Sequence, residues 1–432
     1  MMKNIVKIIL CVVVTSFYYF PFEFVFLPGI NTKMAMAGMG VVLLGLDMLL
    51  KGKKLLDKDI LIISGYAIVI SLISYISIIY NSTNDPSFID YPISIWVWLG
   101  GAYFAVRFIK LMHGYISAAL MCKYLIAVCT AQCVIAYTMN VYPPLKAFVN
   151  GFLGGTDAFM GKAEGRIYGI GAALDVAGFR FSAVLVMITY ITTTSKRMIS
   201  SESTKWYVLA FLVISVIGNM ISRSTIFGMV LGLLYVVYAT EVYKNNLFGK
   251  WIIGVLIIII PLCIYLYNTD QSFRANIRFG FEGFFSLAET GKWQTGSNDI
   301  LFEHMLVFPE TLKTWIIGDG YAANPDYIDP YYIGQSYHGF YKGTDIGYIR
   351  FIFYFGLIGA FAMIAFICKV ASACIRRFPS FSVMFLMILG INLIGWLKVS
   401  TDIFIVFAPF LCISAIENEE YEKRLALEQI ND

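Results

Sequence analysis

The stretch SYHGFYKGTDIGYIRFIFYFGLIGAF, residues 336–361, changes character half way along its length. Its first part is polar and tyrosine-rich and contains His338, one of three histidines in the chain. From Ile346 onward it is an apolar run with a single charge, Arg350. An apolar run of this kind predicts a membrane-spanning helix, so the stretch marks the junction between a polar loop and a transmembrane segment.

The rest of the chain also alternates long apolar runs with short polar segments. Of its 432 residues, 59% are hydrophobic and 14% are charged, and the mean hydropathy is +0.74. Soluble proteins carry about 25% charged residues. The composition therefore predicts an all-α polytopic membrane protein.

Hydropathy predicts about twelve transmembrane helices in this chain. The first run lacks a small-residue cleavage site, so it is predicted to be a retained span rather than a removed signal peptide. The predicted spans are 5–28, 33–50, 59–80, 92–110, 122–139, 179–195, 205–221, 225–242, 250–268, 346–368, 380–397 and 401–416.

The placement of lysine and arginine predicts the orientation of these spans. Most of the 32 basic residues fall in short connections and tails on one side, which the positive-inside rule assigns to the cytoplasm. Both termini are then cytoplasmic. Residues 1–268 are predicted to hold spans 1–9 with an outer loop near 140–178, residues 269–345 a large and mostly helical outer loop, residues 346–416 spans 10–12, and residues 417–432 a cytoplasmic tail.

Several kinds of function have no signal in this sequence. The net charge of +4 includes no basic block, which argues against nucleic acid as a partner. No histidine pair has zinc-ligand spacing and no phosphate-binding GKS/T loop occurs, so no metal and no cofactor is predicted. The eight cysteines lie in or beside apolar runs, which predicts no disulfide framework.

Arginines at the predicted outer ends of the spans are the main functional signal. Charges near the hydrocarbon boundary are costly, so several on one face indicate an anionic partner, and a diphosphate at headgroup depth suits planar guanidinium groups. Snorkelling or structural ion pairs with Asp175, Glu164, Asp270 or Asp345 are the alternative. The candidate diphosphate-binding residues are Arg166, Arg180, Arg223, Arg278 and Arg350.

The polar loop before residue 346 holds the candidate proton-transfer residues. His338 is a candidate general base for an attacking sugar hydroxyl, and Asp345 either orients His338 or is itself the base. A simple surface-loop role is the alternative for His338. Tyr337 and Tyr341 belong to a cluster of loop tyrosines whose rings suit stacking on sugars, and an interfacial aromatic belt has the same composition.

Three segments of the chain resemble the O-antigen polymerase and O-antigen ligase superfamily of bacterial envelope glycosyltransferases. They are GRIYGIGAALDVAGFRFSA (165–183), GNMISRSTIFGMVLGLL (218–234), and IIGDGYAANP (316–325) with YHGFYKGTDIGYIRFIFYFGLIG (337–359). The SRST turn followed by a glycine-bearing helix, and TDIGYIRFIFYFGLIG, are the more specific of these. The layout is similar as well, with a long outer loop late in the chain and a few spans after it.

The resemblance implies a metal-independent glycosyltransferase of the bacterial cytoplasmic (inner) membrane. Donor and acceptor would be glycans on undecaprenyl diphosphate, and the loop 269–345 would be periplasmic. A chain-length regulator and a flippase are the implied protein partners, beside the lipid bilayer. The family's first outer arginine would correspond to Arg166 or Arg180, its second to Arg223, and its loop histidine to His338.

The resemblance leaves more than one activity open. Ligases usually carry the loop histidine before an asparagine, whereas Gly339 follows it here, which argues against the ligase. The segment GTDIGYIR is more similar to repeat-unit polymerases of surface polysaccharides such as O-antigen lipopolysaccharide or capsule. The ligase, which moves the glycan to a lipid or protein acceptor, is the alternative within the superfamily. A flippase for lipid-linked oligosaccharide is the alternative from another class.

Overall fold

The chain folds as a bundle of α-helices, seen in a computed structural model that describes residues 2–51, 57–154, 166–194, 201–243, 247–416 and 418. In chain order the helices are α1 (Met2–Tyr19), α2 (Thr32–Lys51), α3 (Lys58–Asn81), α4 (Tyr91–His113), α5 (Ala118–Val141), α6 (Pro143–Phe152), α7 (Leu174–Thr194), α8 (Ser201–Ile221), α9 (Ile226–Tyr243), α10 (Leu247–Thr269), α11 (Gln271–Gly280), α12 (Glu282–Thr290), α13 (Gly296–Ile300), α14 (Leu312–Ile316), α15 (Pro325–Ile328), α16 (Gly347–Arg377), α17 (Ser382–Gly395) and α18 (Phe404–Leu411). In these ranges β-structure is confined to two-residue strands, β1 (Glu23–Phe24) and β2 (Leu153–Gly154), which pair antiparallel, and one isolated bridge.

The prediction of an all-α polytopic membrane protein is confirmed. Among the described residues, nine helices are long and apolar enough to cross a membrane, namely α2, α3, α4, α5, α7, α8, α9, α10 and α16. The apolar helices α1, α17 and α18 are shorter. Each of the twelve segments predicted from hydropathy overlaps one of these twelve helices.

Helix α7 lies at the centre of the bundle, and α10 lies at its edge. In α7, 83% of the apolar window is buried inside the protein, whereas the corresponding share for α10 is 0%. Helix α9 approaches α7 closely at Gly228, where a Cβ atom would overlap the backbone of Ser182. The Ser182 hydroxyl donates to the Ser224 carbonyl (2.8 Å) and accepts from the Gly228 amide (3.0 Å), which secures this contact.

Helix α16 is interrupted at Phe355 and Gly356, in the middle of the apolar run. Gly356 has φ +69°, a conformation that favours glycine, and a Cβ atom there would overlap the Ile316 carbonyl group. The amides of Asp319 and Gly320 donate to the carbonyls of Phe353 (2.6 Å) and Tyr354 (3.1 Å). Unpaired carbonyl groups are costly inside a protein or a membrane, so these two hydrogen bonds stabilise the break in the helix. They also anchor the loop before α16 to the broken helix.

The predicted large loop, 269–345, contains several short helices. Its first part carries α11, α12, α13 and a π-helical turn, Leu301–Met305. Its second part, from 306 to 345, is mostly irregular, with α14, α15 and a 3₁₀ turn at Tyr341–Gly343. Prolines at 309 and 330 explain part of this irregular structure, since proline cannot donate the backbone hydrogen bond that continues a helix.

Candidate functional site

The segment 396–403, between α17 and α18, lies at the centre of the candidate site. It folds back on the end of α17, because the Asn392 side chain accepts a hydrogen bond from the Ile403 amide (2.8 Å). The Asp402 carboxylate then accepts from the Phe404 amide (2.9 Å) at the start of α18. This turn presents three polar side chains, Lys398, Ser400 and Asp402, to three different parts of the bundle. We refer to residues 398–402 as the central turn.

Lys398 connects the central turn to α7. Its Nζ atom lies 2.8 Å from Oδ1 of Asp175, in the first turn of α7, and 3.3 Å from the Ser224 hydroxyl. Ser222 (3.1 Å) and Ser224 also donate to Asp175 Oδ1. Both charged side chains remain about a quarter exposed, at 26% for Lys398 and 27% for Asp175. The pair is therefore held by several hydrogen bonds and is still partly exposed.

Ser400 connects the central turn to Arg350, one turn inside α16. Arg350 donates to the Ser400 hydroxyl (2.5 Å) and to the Ala322 carbonyl (3.1 Å). The Phe340 ring covers the guanidinium group at 3.4 Å. The Nε atom of Arg350 is buried and has no hydrogen-bond partner in the described structure. Because a guanidinium group carries five donors, these two contacts leave Arg350 with unused N–H groups.

Asp402 faces two basic residues, Lys33 at the start of α2 and Arg180 in the second turn of α7. It lies within electrostatic range of Arg180 and Lys33 and accepts a hydrogen bond from the Tyr91 hydroxyl (3.1 Å). Arg180 is 6% exposed and donates to the Tyr19 carbonyl. Lys33 is half-buried, with its ammonium group 3.9 Å from the centre of the Trp98 ring.

Asp345 lies near both Arg350 and Lys398. The half-buried carboxylate is within electrostatic range of Arg350, Asp175 and Lys398, so it belongs to the same cluster of charges. Burial raises the pKa of the Asp345 carboxyl above its ordinary value, and the Arg350 guanidinium opposes this shift. A carboxylate of raised pKa beside fixed cations is suited to accept a proton during a reaction.

Arg166 and Arg223 meet beside this cluster on a single aromatic ring. Their guanidinium groups lie 4.8 Å and 4.7 Å from the centre of the Phe279 ring, which is in α11. Arg223 also forms an ion pair with Glu282 at the start of α12. Since Arg223 follows Ser222 and precedes Ser224, which both bind Asp175, this pair of arginines continues the row of cations from Lys398.

Arg278 is placed differently from the other four predicted arginines. It forms a two-pronged ion pair with Glu289, at 2.8 Å and 2.9 Å, and the side chain is 42% exposed. It also donates to the Tyr267 hydroxyl (3.1 Å). These contacts brace α11 against α12. The structure therefore gives Arg278 a local partner set of its own, apart from the central turn.

The loop residues predicted to act on sugars have contrasting environments. His338 is exposed, and no hydrogen bond or ion pair joins its side chain to Asp345 or to any other described residue. It precedes Phe340, the ring that covers Arg350, by two positions. Tyr341 is 9% exposed, with its ring packed against those of Tyr321 (5.4 Å) and Phe353 (5.7 Å). Burial raises the pKa of the Tyr341 hydroxyl, which also donates to Asp319 (3.3 Å).

Of the two loop tyrosines, Tyr337 and Tyr341, Tyr337 is the one whose ring keeps accessible surface. It is half-buried and contacts Tyr341 edge to face at 5.3 Å. Its carbonyl accepts a hydrogen bond from the Asn324 side chain (2.7 Å), which fixes the backbone just before His338. The structure thus brings Tyr337 and His338 together at the outer edge of the loop, with Tyr341 in the loop interior.

Two residues of the site, Lys398 and Asp402, were not singled out from the sequence, and Lys33 was not either. Lys398 and Asp402 lie in the connection between α17 and α18, and Lys33 lies at the start of α2. All three are on the side of the membrane that the positive-inside rule predicts to be poor in lysine and arginine. Their departure from the positive-inside rule could have identified Lys33 and Lys398 from the sequence. Asp175 was considered only as a structural ion partner. Among the described residues, no group of three or more His, Cys, Asp or Glu side chains is arranged to hold a metal ion.

The fold and this cluster define the class of the protein, an all-α polytopic membrane protein with charged side chains gathered at one end of its bundle. Comparison of the chain with protein-family models, with curated proteins and with solved structures found no match. The chemistry of the site is therefore the main guide to function.

Proposed function

We propose that this protein is a glycosyltransferase that polymerises oligosaccharide repeat units carried on a polyprenyl diphosphate into a surface polysaccharide. The observation that carries this proposal is the central turn, which contains Lys398, binds Arg350 through Ser400 and has Asp345 within electrostatic range, at the end of the bundle. A lipid-linked diphosphate presents its sugar–phosphate bond at headgroup depth, where ionisable groups at helix ends can reach it. The sequence segments that resemble the O-antigen polymerase and ligase superfamily point to the same substrate class.

In the proposed reaction, the cations hold the diphosphate of the donor. Arg350 and Lys398 contact its oxygens, Arg223 and Arg166 contact it or the phosphate of the acceptor, and Arg180 with Lys33 completes the positive field around Asp402. As the bond between the anomeric carbon and the diphosphate oxygen breaks, its electron pair leaves with the diphosphate. Because these positive charges are already in place, they stabilise the negative charge that develops on the diphosphate without any reorganisation of the site.

Asp345 is the proposed general base. An acceptor sugar hydroxyl attacks the anomeric carbon, its oxygen forms the new glycosidic bond, and its proton passes to the Asp345 carboxylate. The proximity of Asp345 to Arg350 and Lys398 supports this role. His338 and Tyr337, at the edge of the loop, are proposed to contact the sugar rings of the acceptor. Asp345 must then release its proton to solvent before the next cycle.

The proposed membrane arrangement has twelve crossings, with both termini in the cytoplasm and the site on the periplasmic side of the inner membrane. The site residues or their contacts come from the ends of α1, α8 and α17 and from the starts of α2, α7, α9, α16 and α18. An in–out alternation from a cytoplasmic N-terminus puts all of these ends on the outer side, provided that α1, α17 and α18 also cross. Chain growth would then take place where the lipid-linked units arrive after translocation.

Product analysis with purified protein tests this function. The protein in detergent receives a defined polyprenyl-diphosphate-linked repeat unit, and mass spectrometry follows the lipid-linked products. We expect a ladder spaced by one whole repeat unit, with release of polyprenyl diphosphate. Transfer of single units to an added lipid acceptor, without a ladder, would identify the ligase activity instead. In liposomes with substrate outside only, translocation without chain growth would identify a flippase.

A further inference from the structure

The connection between α3 and α4 holds the second part of the long loop in place. The segment NSTND, residues 81–85, is polar, although the helix before it is apolar. Three of its side chains donate hydrogen bonds of 3.2, 3.1 and 3.1 Å to loop residues between 318 and 329, namely those of Asn81, Thr83 and Asn84. Asp85 follows them and accepts hydrogen bonds from the same loop. The proposed transfer reaction does not use this carboxylate.

The Asp85 carboxylate is buried, at 0% exposure, and both of its oxygens are bound. Oδ1 accepts from the amide of Ser87 (2.9 Å) and from the Ser87 hydroxyl, so the side chain closes a turn with its own backbone two residues on. Oδ2 accepts from the amides of Ala322 (2.6 Å) and Ala323 (2.8 Å). These hydrogen bonds offset the cost of burying the carboxylate and fix its position.

The peptide group between Ala322 and Ala323 connects Asp85 to Arg350. The Ala322 carbonyl and the Ala323 amide belong to this one planar group. Its N–H donates to Oδ2 of Asp85 (2.8 Å), and its C=O accepts from Nη2 of Arg350 (3.1 Å). Carboxylate, peptide and guanidinium therefore form a continuous chain of hydrogen bonds. In such a chain each hydrogen bond polarises the peptide group and strengthens the other one.

The backbone of Asp85 is fixed to the helix that carries Arg350. The Tyr354 hydroxyl donates to the Asp85 carbonyl (2.8 Å), and Tyr354 lies about one turn after Arg350 in α16. The Asp85 side chain is also within electrostatic range of Arg350. Asp85 is thus held against α16 through its backbone while its carboxylate holds the peptide group that binds Arg350.

We propose that Asp85 is a positioning residue that holds Arg350 in the orientation in which Arg350 binds the donor diphosphate. The effect on the reaction rests on the proposed function, whereas the effect on Arg350 itself rests on the contacts alone. Without the carboxylate, the peptide group between Ala322 and Ala323 loses the negative charge that orients it, and its carbonyl becomes a weaker acceptor for Arg350. A misplacement of about 1 Å can cost about 10²-fold in rate, so Asp85 affects catalysis without contacting the substrate.

A double-mutant cycle between Asp85→Asn and Arg350→Ala tests the proposal, with the initial rate of ladder formation by the purified full chain as the measurement. Asparagine keeps the shape of aspartate and an oxygen that accepts from the two amides, but it carries no charge. We expect Asp85→Asn to lower kcat about tenfold, because a charged acceptor is exchanged for a neutral one. In the Arg350→Ala background the same substitution should change kcat by about twofold or less.

The matched control is Thr83→Val, which removes a hydrogen bond between the same connection and the same loop, at the Gly320 carbonyl. It should lower the melting temperature but keep the parental kcat, because no atom of Thr83 belongs to the chain that ends at Arg350. An equal loss of kcat in Thr83→Val and Asp85→Asn would overturn the proposal. So would an undiminished effect of Asp85→Asn in the Arg350→Ala background, since Asp85 would then act independently of Arg350.

A cryo-electron microscopy structure of Asp85→Asn separates this inference from the proposed function. Nη2 of Arg350 should lie farther from the Ala322 carbonyl than in the parent, whether or not the protein forms a ladder. An unmoved Arg350 would refute the positioning role, whereas a displaced Arg350 in a protein that forms no ladder would count against the proposed function alone. If Asp85→Asn does not fold, Ser87→Ala removes one donor to the carboxylate and should lower kcat about threefold. A parental kcat and an unmoved Arg350 in that variant would then overturn the proposal.

Discussion

The Nζ atom of Lys398 lies 2.8 Å from Oδ1 of Asp175, although the two residues are 223 positions apart in the chain. This contact joins the turn between α17 and α18 to the first turn of α7, the most buried of the candidate spans. Through the neighbouring Ser400 the same turn holds Arg350 in α16. One short turn therefore organises charges contributed by three separate regions of the bundle.

Lys398→Ala should reduce the transfer rate on the order of 10²-fold, because a fixed positive charge near the leaving diphosphate is lost. Lys398→Arg should retain a larger share of activity, since charge is kept. The measurement is the initial rate of ladder formation at saturating donor. Lys292→Ala, an exposed lysine in the long loop, is the matched control and should have the parent rate. A parental rate in Lys398→Ala would remove Lys398 from the mechanism.

Arg350→Lys should be nearly as inactive as Arg350→Ala, a loss on the order of 10²-fold. A lysine cannot donate to both Ser400 and the Ala322 carbonyl while stacking on the Phe340 ring, and it lacks the planar fork that binds two phosphate oxygens. Arg278→Lys is the control, because Arg278 has its own partner in Glu289. Full activity in Arg350→Lys would show that charge alone is sufficient at this position.

Asp345 gives a prediction about pH. Its pKa is raised by burial, so the folded protein binds this proton at pH values where the unfolded chain has released it. Stability from this group is therefore present below the pKa of the unfolded state and is lost as the pH rises through the higher folded pKa. Asp345→Asn, which stays neutral, should keep or slightly raise the melting temperature at pH 7.

The same carboxyl must be ionised to act as a base, so the rate should fall on the acid side with a limb above the ordinary aspartate pKa of about 3.9. Asp345→Asn should lose most activity at every pH while remaining folded. His338→Ala should be affected less, and mainly in its KM for the acceptor. If His338→Ala loses the acid limb and Asp345→Asn keeps it, the histidine is the base.

Gly356→Ala should lower the melting temperature by several degrees. The residue has φ +69°, and a Cβ atom would overlap the Ile316 carbonyl, so the loop anchored to the break in α16 must shift. Gly390→Ala in α17 is the matched control, because no atom lies within 4 Å of its Cβ position. The control should be neutral or slightly stabilising, since alanine favours the helix. Equal melting temperatures for the two variants would contradict the account of this break.

Labelling with an impermeant maleimide tests the orientation of the bundle. A cysteine at exposed Gln294 in the long loop should react in intact spheroplasts, whereas one at exposed Leu111, near the end of α4, should react only after permeabilisation. Both cysteines are introduced into a variant without the eight native ones. The reverse pattern would place the proposed site in the cytoplasm and rule out transfer at the outer face.

Hydropathy predicted where the helices lie because each apolar run has to satisfy its backbone hydrogen bonds internally, which a helix does. Arg350 and Asp345 could be found from sequence because a charge at the edge of an apolar run is conspicuous. The break in α16 could not, since YFGLIG is uniformly apolar and the carbonyl groups it frees are bound by residues 319 and 320. The interior position of Tyr341 likewise depends on the rings of Tyr321 and Tyr337 in the loop and of Phe353 in α16.

The sequence by itself determined the class of the protein and the positions of its apolar helices, because burial of apolar side chains and local hydrogen bonding follow from composition and spacing along the chain. Only the tertiary structure decided which charges meet. Lys398, Asp175 and Arg350 belong to different helices or turns, and no periodicity in the chain relates them. Their contacts arise from how α7, α16 and α17 pack, where desolvation makes a buried charge acceptable only beside a partner of opposite sign or a hydrogen-bonding group.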